Sequence, residues 1–159
     1  MDDRKNLNIE ILRNIDLFAD LSHPALNRLA DLFCERVFRK GETIFPEDSI
    51  GNSMMIIVSG EVRISQLSPG NTEETLVVLK KGDFFGEMAL LEEMPRSASA
   101  IANTDIFILE ISRERFVGMI EKDPESGIKV LLTLSRKLSS RLREADIKIK
   151  TFVNLSQWL

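Results

Sequence analysis

Residues 36–111 are interrupted too often by turn formers to hold a long helix. Lys40-Gly41, Pro46-Glu47-Asp48, Ser59-Gly60, Pro69-Gly70-Asn71 and Lys81-Gly82-Asp83 recur at short, fairly regular spacing. Glycine supplies left-handed turn geometry and proline fixes a turn dihedral, so these clusters mark chain reversals. The runs between them are short and rich in Val, Ile and Phe, which suit a pleated, half-buried surface. Strands are predicted over residues 36–39, 43–45, 54–58, 61–66, 74–79, 97–102 and 105–110. Many short strands with such punctuation predict a compact barrel or jelly roll.

The flanks have another texture. Residues 7–20 place apolar side chains at helical spacing, interrupted by Asn14 and Asp16, which predicts a short helix and a turn. Ser22 is a good N-cap and Pro24 suits a first turn. Leu26, Leu29, Ala30 and Phe33 then form one stripe, read as core packing. Ser112 is a plausible cap for a helix through Arg115, Phe116, Met119 and Ile120; Asp123-Pro124 stops it and starts another. From Pro124 to about Lys150 only Gly127 interrupts the helix formers. The expected fold is α+β and mainly β: a jelly-roll-like β-roll flanked by N-terminal helices and a long C-terminal helix. One unit over 1–159 is expected, with helices in 1–35, the roll in 36–111 and helices again in 112–159.

Composition narrows the function classes. The formal net charge of −4 argues against direct nucleic-acid binding, which needs basic surface. One histidine (His23) and one cysteine (Cys34) leave no cluster for a metal site and no triad for nucleophilic catalysis, so neither metal nor enzyme activity is expected. Cys34 follows an apolar helical stripe and is expected to be a buried structural thiol. No apolar run approaches the roughly 18 residues of a membrane span, and Met1-Asp2-Asp3-Arg4-Lys5-Asn6 is no signal peptide. A cytoplasmic location without membrane contact is the expectation.

The stretch from Phe84 to Ala100 carries the chemistry. Gly86 permits close backbone approach, and Glu87 to Leu91 are enough helix former for a turn or two, whose leading amides can face an anion. Ten residues after the glycine, Arg96 offers a permanent charge that grips phosphate in bidentate fashion, with the Ser97 hydroxyl beside it. Glu87 would be repelled by phosphate unless it accepts hydrogen bonds from sugar hydroxyls. Two readings stay open on spacing alone: a surface Arg96–Glu87 ion pair, or a nucleotide pocket without metal.

Phe84-Phe85-Gly86-Glu87-Met88-Ala89-Leu90-Leu91 with Pro95-Arg96-Ser97-Ala98-Ser99 resembles the phosphate-binding cassette of cyclic nucleotide-binding domains. These are the sensors of catabolite activator-type proteins, protein kinase regulatory subunits and cyclic nucleotide-gated channels. Lys40-Gly41-Glu42-Thr43-Ile44-Phe45 and the run from Ser53 to Val62 resemble the opening strands of that family's β-roll, and the likeness spans about residues 15–148. Asp48 stands where the family commonly has a turn glycine. The resemblance implies that Glu87 takes the ribose 2′-hydroxyl and Arg96 and Ser97 the cyclic phosphate, with backbone contacts from Gly86, Met88 and Ala89. It also brings Arg141 near the purine base, where a base-facing role and a solvated arginine both stay open. Leu76 and Val77 would line the pocket or serve as ordinary core.

The implied ligand is cAMP, with cGMP possible, and no other cofactor. The implied function is a regulatory module that signals by ligand-dependent movement of its C-terminal helix. That helix is expected to form a homodimer seam. Counting sevens from Leu131 gives Leu138, Ala145, Phe152 and Leu159, with Leu134, Arg141, Lys148 and Leu155 as companions. Arg141 and Lys148 do not suit a continuous zipper, so a shorter contact on a broader face is expected. No helix-turn-helix segment is expected to follow. An effector protein would then receive the signal. Two alternatives remain: a protein-interaction or dimerisation domain of the same fold without nucleotide, and the sensor part of a transcription regulator.

Overall fold

The fold was obtained as a computed structural model, which describes residues 2–68, 70 and 72–156, with side chains from 6 to 154 in those ranges. The turn residues Pro69 and Asn71 and the terminal residues Trp158 and Leu159 lie outside the described residues, and the Leu155 side chain does too.

Helix α1 (Asp2–Arg13), a 3-10 turn (Asp16–Phe18) and helix α2 (His23–Ala30) lead into eight strands. These are β1 (Cys34–Phe38), β2 (Thr43–Phe45), β3 (Ser53–Ser59), β4 (Glu61–Ser68), β5 (Thr72–Lys80), β6 (Phe84–Phe85), β7 (Ser99–Ala102) and β8 (Ile106–Ser112). Helix α3 (Met88–Leu91) falls between β6 and β7, and α4 (Arg113–Lys122) and α5 (Pro124–Ser156) close the chain. The strands form two antiparallel four-stranded sheets, ordered β1-β8-β3-β6 and β2-β7-β4-β5. The α+β roll with flanking helices is as expected.

Strands β3, β6 and β8 of the first sheet are buried on both faces, which is why β3 and β8 read as nearly continuous apolar runs, whereas the edge strand β1 is exposed. Alternate residues of a strand point to opposite faces. On β3, Met55 and Ile57 enter the cluster between the sheets, with Val62, Phe85, Ala100, Ala102, Ile106 and Ile108. Met54 and Ile56 turn the other way, into a cluster with Leu12, Phe18, Leu29, Phe116, Val130 and Leu134 from the helices. Strand β6 repeats the alternation in two residues: Phe84 joins the helical cluster and Phe85 the inter-sheet one. The backbone then turns at Gly86, at φ +73°.

Local signals from the sequence recur as contacts. The Ser22 and Ser112 hydroxyls accept from the Ala25 and Arg115 amides at 3.4 and 3.3 Å. Asp48 adopts φ +61°, the left-handed geometry its position requires. Cys34 corrects its expectation. It opens an edge strand rather than ending a helix, and its side chain is exposed, with Arg115 Nη1 at 3.2 Å from its sulfur. Boundaries move as well: β1 begins two residues before the predicted strand, β7 begins at Ser99 rather than Ser97, β4 and β8 end two residues later, and β5 begins two residues earlier.

The α4–α5 corner is held by one carboxylate. Asp123 Oδ1 accepts from the Ser126 amide at 3.2 Å, Oδ2 accepts from the Ser126 hydroxyl at 2.8 Å, and Arg28 reaches it from α2. The Ser126 hydroxyl, then Arg28, hold the Asp123 carboxyl below the usual carboxylate range. A depressed carboxylate stabilises the fold above its unfolded pKa, and that contribution is lost as pH falls through the lower folded value. Asp123→Ala is therefore expected to lower the thermal midpoint at pH 7, with the deficit shrinking below about pH 4. Melting curves across that range check it; a deficit of constant size would refute the account.

Candidate functional site

A cavity of about 890 Å³ opens between the second sheet, the cassette and α5. Its size falls in the range of small-ligand sites, roughly 300–1,000 Å³. Gly86, Glu87, Met88, Ala89, Arg96 and Ser97 all line it, and so do Leu76, Val77 and Arg141. Leu76 and Val77 are exposed along β5, the sheet edge, so they are wall residues and not core.

Two opposite charges are buried here, Glu87 at 5% exposure and Arg96 at 8%. They do not pair with one another in any hydrogen bond or ion pair among the described residues, which removes the surface ion-pair reading. Arg96 instead donates from Nη1 to the Gly86 carbonyl at 3.2 Å and from Nη2 to the Ser53 hydroxyl at 3.3 Å. Its guanidinium lies 4.0 Å from the Phe45 ring centroid, a cation–π contact. Burial draws the Arg96 pKa below the usual arginine range, while the Glu110 and Glu87 carboxylates pull it back. The buried Nε has no hydrogen-bond partner among the described residues. A buried cation with donors unspent is costly to the empty domain, and an anion in the cavity would offset that cost.

Glu87 turns to α5. Arg141 donates from Nη1 to Glu87 Oε1 and from Nη2 to the Phe84 carbonyl at 3.1 Å, with its guanidinium near the Phe84 ring. Arg141 is thus half-exposed to solvent and at the same time tied to the cassette. The leading amides of α3 are partly spent, since Ala89 donates to the Gly86 carbonyl at 3.2 Å and Leu90 to that of Glu87 at 3.0 Å.

Glycines set the clearance around Arg96. A Cβ on Gly51 would lie 2.8 Å from Arg96 Nε and 3.0 Å from the Ala89 Cβ; one on Gly86 would lie 2.6 Å from Arg96 Nη1. Gly51→Ala is thus expected to displace the guanidinium without left-handed backbone strain, and to weaken binding of an anionic ligand at least several-fold. Titration calorimetry reads the effect, and an unchanged affinity would rule out the close packing as a determinant.

Sequence reasoning passed over Ser53, Phe45, Gly51 and Glu110, which all approach Arg96 from strands or their turns. Glu110 left one trace, a single carboxylate inside the apolar run Ile106–Ser112.

The family model described as cyclic nucleotide-binding domain matches residues 35–123, more than half of the chain. The chain belongs to the cyclic nucleotide-binding domain family. It is 34% identical over 138 residues to the cyclic AMP receptor protein of Thermus thermophilus, covering 87% of this chain and 62% of that one. It is also 34% identical over 152 residues to cGMP-dependent protein kinase, isozyme 1, of Drosophila melanogaster, covering 94% of this chain and 20% of the kinase. The crystal structure of a cyclic nucleotide-binding domain from Methylobacillus flagellatus superposes with a TM-score of 0.80 at 28% identity, covering 93% of this chain and 83% of that one. The domain thus spans under two thirds of either curated relative. No described helix is long and apolar enough to cross a membrane.

Proposed function

We propose that the domain is a cytoplasmic sensor that binds cAMP, with cGMP the alternative ligand, and acts as a binding module without catalysis. The observation that carries this is a buried arginine, Arg96, lining the cavity beside the buried Glu87 with no ion pair between them among the described residues. The cyclic phosphate would take donors from Arg96 and Ser97, the ribose 2′-hydroxyl would donate to Glu87, and the base would lie along Leu76, Val77 and Arg141. The backbone at Gly86, Met88 and Ala89 would close round the phosphate. The sugar would then share Glu87 with Arg141, so occupancy bears directly on how α5 sits. A ligand shifts the helix only by its difference in affinity for two helix positions. Titration calorimetry with cAMP and cGMP tests the reading. No detectable heat with either at millimolar concentration would end it.

Helix α5 offers a second element of the reading, a homodimer seam. Leu142, Ile149 and Phe152 are 64%, 60% and 73% exposed and lie on one side of α5, whereas Ala145, which counting by sevens put on the seam, lines the cavity. Leu134, Arg141 and Lys148, the companion row, face the core and the cavity instead. The awkward charges therefore leave the seam. Light scattering is expected to give a dimer for the wild type and a monomer for Phe152→Asp. A wild-type monomer with and without cAMP would favour an effector protein on that face.

A further inference from the structure

Behind Arg96, on the side away from the nucleotide cavity, lies a smaller cavity of about 170 Å³, lined by Arg36, Phe38, Ile44, Phe45, Ser53, Glu110 and others. The Arg96 guanidinium, already bonded to the Gly86 carbonyl and stacked on Phe45, has a further hold on this side. Three hydrogen bonds supply it. Arg96 Nη2 donates to Ser53 Oγ at 3.3 Å, Ser53 Oγ donates to Glu110 Oε1 at 2.7 Å, and Arg36 Nη1 donates to Glu110 Oε2 at 3.1 Å.

The order of donors follows from chemistry. A serine hydroxyl has one proton, and an ionised carboxylate can only accept. With Glu110 taking that proton, the Ser53 hydroxyl is turned away from Arg96 and its lone pairs are left to receive the guanidinium N–H. Arg36 fixes the far carboxylate oxygen from strand β1, so Glu110 is held at both ends. We propose that Glu110, acting through Ser53, is a positioning residue that aims Arg96 at the phosphate. This rests on the cyclic nucleotide reading and adds to it a polar chain from the phosphate site to the outer edge of the first sheet.

A merely structural role would alter stability or all binding alike; a positioning role falls on the phosphate. Titration calorimetry on Ser53→Ala and Glu110→Gln is expected to show cAMP bound about tenfold more weakly, the loss typical of one hydrogen bond to a charged group. Adenosine, which lacks phosphate, is expected to bind as it does to the wild type, and Ser53→Thr, which keeps the hydroxyl, to retain cAMP affinity. A readout free of nucleotide is the guanidinium N–H signals of Arg96 in the proton–nitrogen NMR spectrum, expected to shift or broaden in both variants. Unchanged cAMP affinity, equal loss for cAMP and adenosine, or unaltered Arg96 signals would each overturn the inference while wild-type binding leaves the nucleotide reading intact. A wild type that takes up no cAMP would overturn both.

Discussion

Arg96→Leu is expected to weaken cAMP binding by about 2–5 kcal/mol, which is roughly 30-fold to several thousand-fold. The size follows from burial. Arg96 is 8% exposed, so a phosphate beside it meets a cation whose field water screens poorly. Leucine removes the charge and every donor while retaining apolar bulk against Phe45. The empty variant should not suffer in proportion, since burial alone already disfavours the Arg96 charge. Exchanging a buried ion for an apolar residue of similar volume is often neutral or stabilising. The variant is thus expected to melt at or above the wild-type temperature without nucleotide, yet to gain less than about 1 kcal/mol from cAMP at a concentration that saturates the wild type. A wild type saturated at a hundred times its Kd gains about 2.7 kcal/mol. Calorimetry with paired melting curves reads both effects, and undiminished cAMP affinity would remove Arg96 from the site.

The parts of this fold that were legible share one property: their signal is local. Turn clusters delimited the strands, Ser22 and Ser112 marked helix starts, and Gly86, Arg96 and Ser97 lie within one loop. What escaped depends on distant pairing. Strand β6 is two residues long, too short for any period, and exists because Phe84 and Phe85 pair with Ile56 and Met55. Cys34 was misjudged because the apolar stripe of α2 runs to Phe33, and nothing local says that the next residue begins an edge strand. Ser53 and Glu110 are 57 positions apart and meet because β3 and β8 are neighbours in register. Arg141 was suspect at a seam on heptad counting; its reason is Glu87, 54 residues earlier. Local chemistry could nominate the phosphate grip, whereas the groups that aim it needed the sheet.

Leu134→Ala is expected to be the most destabilising truncation on the long helix, costing about 2–5 kcal/mol. Leu134 is fully buried in the cluster that joins α5 to the 3-10 turn, α2, α4 and the outer face of the first sheet. Removing its branched end deletes apolar contacts and leaves a void that well-packed neighbours such as Phe18, Phe116 and Val130 fill only in part. For a chain of this length each kcal/mol moves the midpoint by about 2–4 °C, so a drop of roughly 5–20 °C follows. The same anchor bears on the site, because Arg141 lies two helical turns further along the face that carries Leu134. A loosened α5 holds Arg141 less firmly against Glu87 and the Phe84 carbonyl. The phosphate grip, built on the roll from Arg96, Ser53 and Gly86, does not pass through that helix. Leu134→Ala should therefore lose far less cAMP affinity than Arg96→Leu while losing far more stability. Urea denaturation set beside calorimetry separates the two losses. A midpoint unchanged from the wild type would mean that α5 is not anchored through Leu134, and the mechanical link from helix to cassette would then have to run through Arg141 alone.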